Sequence, residues 1–224
     1  MVDLLHSPNQ DARPEGVGID MLVLHYTGMK TAEAALARLC DPAAKVSAHY
    51  TIDRHGHVYA HVAEQYRAWH AGISFWAGAR DINSRSIGIE LVNPGHEFGY
   101  EPFPESQIAA LTTLAQGIIA RHGIAPARVL GHSDVAPMRK MDPGELFPWQ
   151  HLAGQGIGLW PARLGPGELS PDALVRFGYD PAASQMAVIT AFQRHFRPEK
   201  RDGIWDNECG GLLAALLAQS APMP

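Results

Sequence analysis

Positive charge, cysteine and long apolar runs are all scarce in this 224-residue chain. Lysine and arginine number 18 against 23 acidic residues, a formal net charge of −5, so no nucleic-acid partner or anionic membrane surface is expected. Two cysteines, Cys40 and Cys209, are too few for a disulfide framework. Each lies in an apolar, helix-like stretch and is read as a buried, reduced thiol. No window approaches the roughly 18 apolar residues of a membrane span. The N-terminus, Met1-Val2-Asp3-Leu4-Leu5-His6-Ser7-Pro8, has neither a basic n-region nor an apolar h-region. It therefore reads as the start of a cytoplasmic protein, or of a periplasmic or exported one if a native signal has been removed. A monomer is expected.

What the chain does have is ordinary core material and an unusual number of histidines. Hydrophobic residues make up 46%, enough for a real core. Twelve histidines need sorting by position, because imidazole is both the commonest metal ligand and a frequent proton carrier.

Up to residue 163 strand and helix signals interleave. Met21 to Thr27 is a β-prone apolar run ended by Gly28. Thr31 can cap a helix through Leu39, stopped by Asp41-Pro42. A hairpin follows, Ser47 to Asp53 and His57 to Val62, turning at Arg54-His55-Gly56. Ser86 to Val92 alternates, with Ile87, Ile89 and Leu91 on one face and Gly88, Glu90 and Val92 on the other. Glu105 to His122 carries a helical apolar stripe between Pro104 and Gly123. Arg128 to Gly131 is a last short strand. The pattern predicts an α/β fold, a central mixed β-sheet flanked by helices.

From Gly154 to Pro171 glycine and proline are dense, which predicts a boundary. Beyond it Pro171–Phe177, Ser184–Phe196 and Asn207–Gln219 read as three short helices. The expected division is residues 1–163 and a small three-helix domain, 164–224, near the lower size limit for independent folding.

The densest polar stretch runs from His132 at a strand end to Asp142, ten residues later, before Pro143-Gly144. A loop can fold a histidine and a carboxylate onto one zinc ion, although such a pair is more often a surface pair. His25 sits inside an apolar strand, where an unpaired imidazole is costly. It is either a core histidine bonded to a backbone carbonyl or a third ligand, and three ligands with one open position suit a catalytic zinc.

Four blocks then agree in order and spacing: Leu24-His25-Tyr26-Thr27, Trp69-His70-Ala71-Gly72, Ser86-Ile87-Gly88-Ile89-Glu90, and His132-Ser133-Asp134-Val135-Ala136-Pro137 followed by Lys140-Met141-Asp142-Pro143-Gly144. Over residues 18–163 they resemble the zinc-dependent N-acetylmuramoyl-L-alanine amidases, more closely the AmpD-like branch, which shares its fold with peptidoglycan recognition proteins and phage lysozyme-type amidases. The resemblance implies Zn2+ held by His25, His132 and Asp142, with Glu90 orienting and deprotonating water and Lys140 stabilising the oxyanion. It implies muropeptides or peptidoglycan as partner and hydrolysis of the bond between N-acetylmuramic (or 1,6-anhydro-N-acetylmuramic) acid and L-alanine, in cell-wall recycling. Trp69 and His70 belong to a block near the substrate cleft. Asn83 and Arg85 are candidate contacts for the stem peptide, an arginine fork suiting a carboxylate. The C-terminal segment, including Ala191–Phe196 and Asp202–Asp206, resembles a small helical peptidoglycan-binding domain.

Two other readings compete: a recognition protein on the same fold without catalysis, and a zinc peptidase. Retention of His25, Glu90, His132, Lys140 and Asp142 together weighs against the first, and the lack of a His-Glu-x-x-His helix against the second.

Overall fold

The computed structural model describes residues 2–166 and 169–220. Gly167, in the expected boundary segment, and residues 221–224, at the end of the expected helical unit, lie outside them. Eight strands occur in the order β1 Val2–Leu4, β2 Gln10–Ala12, β3 Met21–Tyr26, β4 Tyr50–Ile52, β5 Val58–Ala60, β6 Tyr66–Ala68, β7 Ser86–Leu91 and β8 Val129–Gly131. The helices are α1 Ala32–Cys40, α2 Gly95–Phe98, α3 Glu105–His122, α4 His132–Val135, α5 Trp149–Gly154, α6 Leu174–Phe177, α7 Gln185–Phe196 and α8 Asn207–Ser220.

Six strands form one mixed sheet, ordered β1-β5-β4-β7-β3-β8, and β2 pairs with β6 in a separate antiparallel ribbon. β4, β7, β3 and β8 run parallel, and only the β4–β5 hairpin is antiparallel within the main sheet. Register follows from the period of two. Leu22, Leu24, Ile87, Ile89 and Leu91 enter one core with Ile108, Leu111, Ala115 and Ile118 of α3. Gln107 of α3 is fully buried and spends its amide nitrogen on the carbonyls of Ile52 and Val92, fixing that helix to the strand ends.

The opposite face supplies Met21, Val23 and Leu130 to a second core. Its other half comes from the chain's last third: Leu174, Tyr179, Val188, Ile189, Phe192, Phe196 and Leu213. The C-terminal helices thus do not enclose a core of their own; they share one with the sheet. Burying each such side chain contributes about 1.5–3 kcal/mol at most, so the two regions stabilise each other. The two cysteines are free thiols, Cys209 buried and Cys40 partly so.

Candidate active site

In a parallel sheet, ligands bind beyond the carboxyl ends of the strands. The chain places its chemistry there. His25 is next to last in β3, and its register partner on β7 is Glu90, so both side chains rise from one face. Leu24 pairs with Gly131, the last residue of β8, and His132 follows at once. Asp142 returns through the loop and takes the Ser133 amide proton on its carbonyl.

These elements bring Nδ1 of His25, Nδ1 of His132 and Oδ2 of Asp142 to within 2.9–3.0 Å of one another. All three residues are buried. Burial first, and then the neighbouring His132, pulls the His25 pKa down to about 4, leaving its ring neutral with one lone pair to offer. A neutral imidazole carries one N–H, and in His132 the Ala71 carbonyl, 3.0 Å from Nε2, takes it. His132 Nδ1 then presents a lone pair to a carboxylate oxygen with no proton between them. That meeting of electron pairs is unfavourable in a dry site unless a cation lies among the three atoms. The donor set, two imidazoles and one carboxylate, suits zinc.

Among the described residues this is the group of three or more histidine, cysteine or acidic side chains close enough to hold a metal ion. It opens on a cleft of about 340 Å³, within the range of small-ligand sites. Glu90 and Lys140 line that cleft with Trp69, Tyr26 and Arg139. Oε2 of Glu90 is buried and has no hydrogen-bond partner, a cost that a functional carboxylate can carry. Burial, and after it the Asp142 charge, pushes the Glu90 pKa well above the usual carboxylate value, while Lys140 opposes the shift.

The four expected substrate contacts divide. Trp69 and His70 border the cleft. Trp69 also donates its indole N–H to Asp11 at 2.7 Å. Asn83 and Arg85 are not among its lining residues. The Asn83 side-chain oxygen accepts the amide protons of His70 and Ala71, and Arg85 is paired with Asp20. His70 is 8% exposed and lies against His25, with Nδ1 3.0 Å from His25 Nε2. His49 accepts the Gly88 amide proton on Nδ1 and donates Nε2–H to the Tyr66 carbonyl.

Sequence reasoning missed a second polar cluster beside the first. Asp134, two residues after His132, accepts from Tyr179 OH and from His195 Nδ1, each at 2.8 Å, and from the Gly131 amide at 2.7 Å. His195 is stacked between Trp149 and Phe196, with ring centroids 3.8 and 3.9 Å apart. Tyr179 and His195 belong to the last third of the chain, so the C-terminal helices grip the loop that carries His132. No motif marks them in the sequence. Arg139 is a further omission; it donates to the carbonyls of Ala71 and Ile73 at the cleft wall.

Comparison with known proteins agrees with this architecture. Residues 15–145 match the family model described as N-acetylmuramoyl-L-alanine amidase. The N-acetylmuramoyl-L-alanine amidase AmiD of Escherichia coli is 42% identical over 89% of this chain and 82% of its own length. The 1,6-anhydro-N-acetylmuramyl-L-alanine amidase AmpD of Haemophilus influenzae is 32% identical over 65% of this chain and 87% of its own. Among solved structures, E. coli AmiD in complex with the substrate anhydro-N-acetylmuramic acid-L-Ala-D-gamma-Glu-L-Lys superposes with TM-score 0.81 at 40% identity, covering 93% of each chain. AmpDh3 from Pseudomonas aeruginosa in complex with anhydromuramic pentapeptide gives 0.80 at 35%, covering 95% of this chain and 97% of that one.

Proposed function

The chain belongs to the N-acetylmuramoyl-L-alanine amidase family, and from that premise we propose that it hydrolyses the amide between 1,6-anhydro-N-acetylmuramic acid and L-alanine in soluble muropeptides, using one zinc ion held by His25, His132 and Asp142. The single observation that carries this reading is the set of three buried donor atoms, two imidazole nitrogens and a carboxylate oxygen, mutually 2.9–3.0 Å apart, a donor set that suits zinc. AmiD and AmpDh3, with which the chain superposes over nearly its whole length, have been solved with anhydromuramyl peptides.

When bound, zinc supplies Lewis acidity toward the scissile carbonyl and brings the pKa of water toward about 7. Glu90 takes the proton of the attacking water. Its raised pKa suits it to hold that proton and return it to the L-alanine nitrogen as the C–N bond breaks. Lys140 lines the same cleft, and its ammonium is the group to stabilise the oxygen on which negative charge develops. Trp69 offers a partly buried ring at the cleft edge for the sugar or stem to rest on. Among the described residues no helix is long and apolar enough to cross a membrane.

The test is mass-spectrometric product analysis on anhydromuropeptides and on intact sacculi, with and without a chelator. The expected result is release of free stem peptide from the soluble fragments, abolished by chelation and restored by zinc. Cleavage between amino acids would refute the reading, and preference for sacculi would shift the role to turnover of intact wall.

A further inference from the structure

Two donor histidines can bind one ion through Nδ1 only if each keeps its proton on Nε2. A free imidazole chooses between the two nitrogens by its surroundings, so something in the fold must make the choice. Both decisions trace to one dipeptide. The Ala71 carbonyl accepts Nε2–H of His132. For His25 the partner is the ring of His70, and the direction of that bond follows from its far end. Ser86 donates its hydroxyl proton to the Ile82 carbonyl at 2.7 Å. Its oxygen is then free to accept from His70 Nε2, 3.1 Å away. His70 Nδ1 is left with a lone pair, 3.0 Å from His25 Nε2, and must accept the proton there.

The dipeptide is itself held. Asn83 accepts both the His70 amide proton, at 3.1 Å, and that of Ala71, at 2.7 Å, on a single side-chain oxygen. Asn83 and Ile82 lie in the turn Ile82–Arg85 that leads into β7. Gly88 makes room for the His70 ring, since a Cβ there would meet it at 2.4 Å. Every member of the chain is buried, which weakens competition from water for these bonds.

We propose that His70 and Ala71, clamped by Asn83 and anchored through Ser86 to the Ile82 carbonyl, form a support that sets the tautomers of both histidines of the metal site. This rests on the reading that His25, His132 and Asp142 hold zinc. In it His70 is a positioning residue: it acts on the ion through His25, and neither it nor Asn83 serves primarily as a contact for the stem peptide.

The experiment uses the full chain with three variants: His70→Leu, His70→Asn, whose side-chain oxygen can stand near the position of Nδ1 as an acceptor, and Ser86→Ala. Two readouts are taken, neither of which needs turnover. In zinc-free protein, long-range proton–nitrogen NMR of the imidazoles is expected to show His25 and His132 protonated on Nε2 in the wild type. His70→Leu should disturb His25 but not His132, and His70→Asn should leave both as they are. Zinc affinity by competition with a chromophoric chelator should fall about 10–100-fold in His70→Leu. It should be largely restored in His70→Asn, with Ser86→Ala lying between. Protonation of His25 on Nδ1 in the wild type overturns the proposal, as does wild-type affinity in His70→Leu. If His70→Leu does not fold, His70→Asn and Ser86→Ala decide on the same two readouts. A wild-type chain showing the expected tautomers but taking up no zinc refutes the metal reading, and with it the role assigned to this support.

Discussion

Alanine at position 88 should do more damage than one methyl group suggests. Gly88 sits mid-strand in β7, and its new Cβ would lie 2.4 Å from His70 Cγ and 2.6 Å from Cδ2 and Nδ1. Ordinary contact begins near 3.4 Å, so the ring must retreat by about 1 Å. It is held at both ends, 3.0 Å from His25 and 3.1 Å from Ser86, and such bonds are lost when stretched well past 3.5 Å. Overpacking costs about 1–3 kcal/mol, and a buried polar group left without its partner about 1–3 more. Gly88→Ala should therefore lose about 2–6 kcal/mol, a large part of the roughly 5–15 kcal/mol that holds a domain folded. Urea unfolding of zinc-free protein measures it. The source of the strain is checked by a cycle with His70→Ala, which removes the ring and lets the new methyl occupy vacated space. The double variant should be more stable than the sum of the singles predicts, by about 1–3 kcal/mol. An unchanged midpoint in Gly88→Ala, or additivity within about 0.5 kcal/mol, would show that the ring does not press on this strand.

Glu90→Gln should cut the turnover rate by about 10²–10⁴ while leaving zinc bound; near-full turnover would remove Glu90 from the proton path. His132→Ala should abolish stoichiometric zinc by elemental analysis, and retention of a full equivalent would move the site elsewhere. Tyr179→Phe removes one of the two C-terminal donors to a buried carboxylate and should cost about 1.5–3 kcal/mol in urea unfolding, where a value near zero would mean that the cluster does not bind the two regions together. Glu64 is raised by burial but lowered further by Arg121, His122 and Tyr50, to a pKa of about 2. Being depressed, it contributes stability above its ordinary 4.5 that disappears as pH falls toward 2, up to about 3 kcal/mol. Glu64→Gln should flatten that acid limb, and parallel losses in variant and wild type between pH 5 and pH 2.5 would contradict the assignment.

Much of this architecture can be read along the chain because its signals are local. The apolar run ending at His25, the alternation from Ser86 to Leu91 and the stripe of α3 each announce their element by period, and the elements end within a residue or two of the expected bounds. β1, β2 and β6 carry no such period: each has three residues and most of them face solvent, so only their partners define them. His25, His132 and Asp142 were candidates by residue type and position, and the resemblance carried by four ordered blocks is what joined them into one set. What His70 does could not be read in this way, since its role depends on lying across β7 opposite a glycine 18 positions later. Asn83 and Arg85 were reasonable contacts by residue type, but their side chains are engaged with the backbone of residues 70–71 and with Asp20. The division near residue 163 follows a real change in composition, yet the helices beyond it complete a core that the sheet begins.

The Asp134 carboxylate has a consequence for how this chain can be cut or recombined. One oxygen takes the Tyr179 hydroxyl and the other takes Gly131 and His195, all out of reach of water. A terminal module joined like a bead on a string can be traded for another without loss. Here a truncation before residue 179 would take two of that carboxylate's three donors and lay it and the second core open to water, two residues from His132, and a foreign module would have to supply both lost donors at the same spots. The last helices are inherited with the loop they hold.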